Sequence, residues 1–175
     1  MNALESGLRR YVACQLPRVL TQMDRDPGSP TFGGFDRNHW HYKIRDFPSA
    51  ILQQGAFVVD ALRRGLLGPV PDPQAAERWC AGAVNALGRQ VDRAGGVDEY
   101  YPYERSYPAA AFGLWAAARL LADWQASAPH LAARIDLEPL RRLADHVARR
   151  VEIQAMNQQA AGLAGLAFAA RAGIA

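Results

Sequence analysis

Two cysteines, Cys14 and Cys80, are all that the 175-residue chain contains. Each lies in an apolar helical pattern, and neither CxxC nor a Cys/His ligand spacing occurs. That excludes a disulfide framework and a zinc ribbon, and leaves two thiols that read as small buried hydrophobes. No apolar run reaches the ~20 residues of a bilayer span; residues 160–170 are strongly apolar but too short. The N-terminus, MNALESGLRR, lacks the apolar segment of a secretory signal, so a soluble, cytoplasmic protein is expected. Blocks of one charge are missing too. The formal net charge of +3 comes from a small excess of arginine, with acids and bases interspersed. Without a basic stripe or a recognition motif, nucleic acid is not an expected partner. No sequence motif recurs at a fixed period, and no DxDD or DDxxD cluster is present to ionise a terpenoid substrate.

What is present is helix. Half of the residues are apolar, the length suits one domain with a real core, and the apolar positions recur at three and four. A first helix is expected from about Leu4 to Met23, with Leu4, Leu8, Tyr11, Val12, Leu16, Val19 and Leu20 on one face; Pro17 should kink it or end it early. A second begins near Pro48 or Ser49 and ends at Gly65. A third is capped by Asp72 and carries the stripe Ala76, Cys80, Ala83, Val84, Leu87 and Val91. A fourth starts near Ser106 and is apolar almost all round. A fifth, capped by Asp136, sets the stripe Leu137, Leu140, Leu143, Ala144, Val147 and Val151 among many arginines. A sixth, about Asn157 to Arg171, is small and apolar with no polar face.

Helices one, three and five thus read as amphipathic; four and six read as buried, with two in between. The alternation predicts an all-α fold of antiparallel helical hairpins, outer helix then inner helix, forming a partial (α/α) toroid. In such an array, connections one-to-two, three-to-four and five-to-six share one end. Those three connections are the unusual ones: FDRNHWHYKIRDF (35–47), GGVDEYYPYERSY (95–107) and QAMNQQ (154–159). The second holds four tyrosines, three acids and an arginine, where ordinary connections are short and built from Gly, Pro, Ser and Asn. The opposite connections, 65–72 and 127–136, are plain turns. A site is therefore expected at the mouth of the inner helices, whose N-termini favour anions.

In order and character, the segments FDRNHWHYKIRDFPSAILQQGAF, GGVDEYYPYERSYPAAAFGLWAAARLL and NQQAAGLAGLAFAARAG resemble the α/α-toroid region of heparinase II/III-like proteins. They are also similar to proteins of bacterial polysaccharide gene clusters. The resemblance implies a single toroid-like domain that acts on an acidic polysaccharide or oligosaccharide by lyase-like β-elimination; no cofactor is expected, and His39 and His41 with distant acids do not make a metal-ligand set. The resemblance also implies that further toroid helices, self-association or a partner domain covers the C-terminal helix. Many related lyases have Asn-His at the start of an inner helix, where this chain has Asn157-Gln158.

Uronate elimination needs a base for the proton α to the carboxylate, an acid for the leaving oxygen, and a group that neutralises the carboxylate. The candidates for proton transfer are Tyr101, Tyr103 and Tyr107, beside Arg105, and His39. Trp40, His41, Arg45, Glu99, Arg105, Asn157 and Gln158 are the candidate substrate-binding residues. Each has a structural counter-reading: tyrosines stack on sugars or on each other, and a loop histidine is often solvated. A hydrolase would instead pair carboxylates from Asp36, Asp46, Asp98, Glu99 and Glu104. The alternative to catalysis is a non-catalytic glycan-binding or assembly domain, with the aromatic stretches as a stacking platform.

Overall fold

Three side-chain caps set the helix starts. Asp72 accepts a hydrogen bond from the Ala75 N–H at 2.9 Å, Ser106 from Ala109 at 3.3 Å, and Asp136 from Glu138 at 3.1 Å. Each offers an acceptor to one of the N–H groups that the first helical turn leaves without a partner. The computed structural model describes residues 3–35, 50–99 and 101–174. Among the described residues the elements are α1 (Ala3–Gln22), α2 (Ala50–Arg63), α3 (Pro73–Gln90), α4 (Tyr107–Ser127), α5 (Pro129–Ala132), α6 (Leu137–Ala148) and α7 (Met156–Arg171). No strand occurs among them; one isolated bridge joins Met23 to Phe35. The all-α expectation holds. No helix among the described residues is long and apolar enough to cross a membrane.

The core is built around α4, which packs against α2, α5, α6 and α7. It buries residues on every side, from Tyr107 and Ala110 through Leu114, Ala117 and Leu121 to Trp124. Near its C-terminal end the Trp124 Nε1–H donates to Asp60 Oδ1 at 2.8 Å. The Arg63 Nε–H donates to the same oxygen at 2.9 Å. A buried carboxylate held by a guanidinium and an indole thus ties α2 to α4, which is how a charge survives burial.

Two helices depart from the expected layering. The sequence of α7 is apolar all round, yet only Ala161, Gly162, Gly165 and Ala169 are buried, and Leu163 is 59% exposed. The buried positions are small for a reason. A Cβ on Gly162 would overlap the Tyr107 hydroxyl, and one on Gly165 would stand 3.0 Å from the Trp115 backbone nitrogen. The stripe lets α7 lie close on α4, and the rest of α7 faces out; alanine is tolerated there at little cost. The amphipathic α1 buries no residue, and Leu4, Leu8 and Tyr11 of its apolar stripe are exposed. Only Met23, just past its end, is buried in the core, with Val19 and Leu20 packed against it. Helix α1 also continues through Pro17 to Gln22.

The amphipathic α3 goes the other way and buries more than its stripe. The 24–35 segment covers it: the Phe32 ring lies against Gly82, and Arg89 donates to the Phe32 carbonyl. Between α4 and α6, the region expected as a plain turn holds the short helix α5, with Leu131 fully buried. Asn85 of α3 secures it, donating to the Arg134 carbonyl at 3.0 Å and accepting from the Asp136 N–H at 3.1 Å.

Candidate functional site

Two of the three unusual connections meet. The α3–α4 loop (91–106) and the α6–α7 segment (149–155) lie side by side. Arg150 donates to the Arg105 carbonyl at 2.9 Å, and Tyr107, in the first turn of α4, donates to Gln159, in the first turn of α7, at 3.4 Å. His39, Trp40, His41 and Arg45, with Asp36 and Asp46, lie outside the described residues.

Asp92 organises the start of the loop. Its Oδ1 accepts from the N–H groups of Ala94 at 2.8 Å and Gly96 at 2.9 Å, and its Oδ2 accepts from Arg105 Nε at 2.9 Å. Burial pushes this carboxyl up, but the Gly96 N–H, the Arg105 guanidinium and the Ala94 N–H together hold it below its ordinary value. Gly95, with φ +85°, lets the turn rest against the carbonyl of Arg142 on α6.

The loop's other acids brace its own backbone. Asp98 accepts from the N–H of Tyr103 at 2.8 Å and of Arg105 at 3.0 Å. Glu104 accepts from the N–H of Glu99 at 3.1 Å and of Tyr101 at 3.3 Å. Glu99 is buried and accepts from the Ser106 hydroxyl at 3.3 Å. This bracing holds two non-glycine residues in the left-handed region, Tyr103 at φ 65° and Arg105 at φ 48°, where a side chain is strained by ~1–2 kcal/mol. The outcome is presentation: Tyr101 is 70% and Tyr103 91% exposed, on a loop whose backbone is tied down.

Tyr107 is different. It is buried, its hydroxyl fits over Gly162, and burial, with Glu152 adding, raises its pKa against the pull of Arg150. A phenol held neutral in this way is suited to donate a proton or hydrogen bond, and less suited to accept one. Its partner is Gln159, which also accepts from the Glu152 N–H at 2.7 Å. Asn157 is exposed and Gln158 half-buried in the same first turn of α7. Gln159 was passed over because nothing within α7 reports that the Tyr107 hydroxyl, 52 residues away in sequence, arrives at it.

Beside the loop lies a recess of ≈ 380 Å³ lined by Arg93, Ala94, Arg142, Asp145, His146, Arg149 and Arg150. Arg142, Asp145 and His146 come from α6, Arg149 and Arg150 from the residues just after it, and Arg93 and Ala94 from the α3–α4 loop. Asp145 is 3.6 Å from Arg149, leaving the lining strongly basic. Arg142 pairs with Glu138 at 3.3 Å through Nη1, while its Nε is buried without a hydrogen-bond partner. His146 lies between a guanidinium and a carbonyl. Arg150 Nη1 is 3.2 Å from its Nε2, and its Nδ1 is 3.3 Å from the Ala94 carbonyl. Arginine can only donate, so Nε2 accepts and Nδ1 carries the proton. Burial first, then the Arg150 charge, lowers the His146 pKa, against the Ala94 carbonyl and Asp92. The imidazole is therefore neutral at neutral pH.

A second recess, ≈ 280 Å³, lies between α2 and α4 and includes Phe57, Asp60, Trp115 and Asp123. Both of its acids are paired, Asp60 with Arg63 at 2.9 Å and Asp123 with Arg119 at 3.0 Å. No group of three or more His, Cys, Asp or Glu that could hold a metal occurs among the described residues. Comparison with family models, with curated proteins and with solved structures returns no match.

Proposed function

We propose that the protein engages an acidic polysaccharide or oligosaccharide where the 91–106 and 149–159 segments meet. The reading the geometry supports best is recognition, with sugar faces laid on Tyr101 and Tyr103 and an anionic substituent in the arginine-lined recess. The observation that carries it is that one loop, braced by its own acids, presents two exposed tyrosines and also supplies Arg93 and Ala94 to the wall of that recess. Aromatic rings offer flat apolar area at low entropic cost, and guanidinium groups match carboxylate and sulfate oxygens in pairs. A partial toroid continued by further helices or a partner is part of the same reading, as the family resemblance implies.

Lyase-like β-elimination is the second reading, and one observation favours it. Tyr107, a phenol held neutral, and His146, an imidazole held neutral and 3.2 Å from Arg150 Nη1, both feel the Arg150 charge. They could serve as acid and base, with arginines to neutralise a uronate carboxylate.

The test is calorimetry against hyaluronan, alginate and polygalacturonate fragments, with a neutral glucan as control. Binding to an acidic fragment and not to the glucan is expected. Tyr101→Ala with Tyr103→Ala should weaken it about tenfold, the loss of two stacking contacts, with the circular dichroism spectrum unchanged. Equal affinity for acidic and neutral glycans, or none for either, would sink the proposal. Absorbance of a 4,5-unsaturated uronate, lost in Tyr107→Phe, would decide for elimination over recognition alone.

A further inference from the structure

The recess holds a neutral histidine against a cluster of guanidinium groups, an arrangement with a cause and a consequence. Four groups on α6 and its C-terminal extension surround His146: Arg142, Asp145, Arg149 and Arg150. From the α3–α4 loop it faces the Ala94 carbonyl, with Asp92, Arg93 and Arg105 nearby. Toward α4 and α7, helix α6 turns Leu140, Leu143, Ala144 and Val147, all buried and apolar. The positive side dominates around the imidazole: Asp145 lines the recess but faces Arg149, and Asp92, which pulls the other way, is itself held by Arg105.

An oxyanion in the recess would change that balance. It would add negative charge beside the imidazole and give the buried Arg142 Nε a possible acceptor. It would also compete for Arg150, whose Nη1 is now shared between the Arg105 carbonyl and His146 Nε2. Once Arg150 turns to the anion, Nε2 is an open acceptor in a field made more negative, and a solvent proton can bind there. The imidazolium then becomes one more donor to the anion.

We propose that the recess binds one oxyanion, the carboxylate or sulfate group of an acidic glycan, with uptake of one solvent proton at His146 Nε2. This rests on the glycan reading and adds the chemical group, its ligands and its control by pH. Anion and proton favour each other reciprocally, because the coupling free energy between two bound species is the same seen from either. Affinity rises as pH falls through the range in which the imidazole titrates.

Sodium sulfate is the first probe, since it remains a dianion across the range and cannot itself supply the pH dependence; sodium glucuronate is the second. Ionic strength is held constant with chloride. Sulfate affinity should be about tenfold higher near pH 5 than near pH 8. Calorimetry in two buffers of different ionisation enthalpy should show proton uptake, and the His146 ring signals in a ¹H–¹⁵N spectrum should titrate at higher pH with sulfate than with chloride. His146→Gln should still bind sulfate, with affinity independent of pH and no proton uptake at this site. Arg142→Gln with Arg149→Gln should weaken sulfate more than tenfold at both pH values, circular dichroism being unchanged. No binding beyond the chloride baseline, binding without proton uptake, or uptake that persists in His146→Gln would each overturn the proposal. If acidic glycan fragments bind while sulfate and glucuronate do not, the inference fails and the glycan reading stands. If neither class binds, both fail.

Discussion

Gly95→Ala is expected to destabilise the protein by about 2–5 kcal/mol and to dismantle the basic recess. Two effects add. At φ +85° a side chain is strained by ~1–2 kcal/mol. A Cβ there would also overlap the Arg142 carbonyl oxygen and stand 2.8 Å from its carbon and 2.9 Å from His146 Cβ. Two of those three neighbours are backbone within α6, so no rotamer change relieves the contact, and overpacking of this kind adds ~1–3 kcal/mol. The turn must rise off α6. The Ala94 carbonyl would leave His146 Nδ1, and the Arg105 carbonyl would leave Arg150. Urea denaturation should therefore show a lower midpoint, and sulfate binding should fall with it. Gly65→Ala is the matched control. Its φ is +70°, but a Cβ there meets nothing within 4 Å, so only the strain of ~1–2 kcal/mol remains. Equal losses in the two variants would show that the close approach of the loop to α6 contributes nothing.

Trp124→Ala should destabilise by ~3–5 kcal/mol, a large share of the 5–15 kcal/mol that holds a typical domain folded. Trp124 is 1% exposed and fills the space between α4 and its neighbours. Its removal leaves a cavity in the most crowded part of the core. It also strips Asp60, itself buried, of the indole donor at 2.8 Å. Trp124→Phe separates the two effects: it keeps most of the volume and deletes the donor. Arg63 still donates to the same oxygen, so the expected loss is only ~1–3 kcal/mol. Unfolding followed by circular dichroism measures both without relying on indole fluorescence. If Trp124→Ala proved no worse than Trp124→Phe, the core would be relaxing around the cavity instead of holding its packing against α4.

The residues legible from sequence are those whose partners lie within a turn. Asp72, Ser106 and Asp136 each cap a helix through a bond to a residue two or three positions on, so local chemistry sufficed. The all-round apolar run of α4 predicted its burial, since a helix without a polar face needs neighbours on every side. The juncture of 91–106 with 149–159 followed from counting antiparallel helices. Residues joined by tertiary contact were less legible. The acids at 98, 99 and 104 looked like candidates for substrate or catalysis, because an aperiodic loop gives no sign that its carboxylates will meet its own N–H groups. The arginines around α6 drew no functional reading, because nothing in that helix reports that the Ala94 turn comes to rest against it.

By itself the sequence determined an all-helical chain and where most of its helices start and stop; of the two helices it marked as buried, α4 is enclosed and α7 is not. The starts and stops follow from hydrophobic period and capping, which act over a few residues. Tertiary structure decided which apolar faces are used. It put the small stripe of α7 against α4, left Leu4, Leu8 and Tyr11 of α1 exposed, and gathered Arg93, Arg142, Arg149, Arg150 and His146 around one recess. The physical reason is one of range. Alanine and glycine carry too little hydrophobic area to declare a face, and a charge becomes solvated or focused only through neighbours that arrive from elsewhere in the chain.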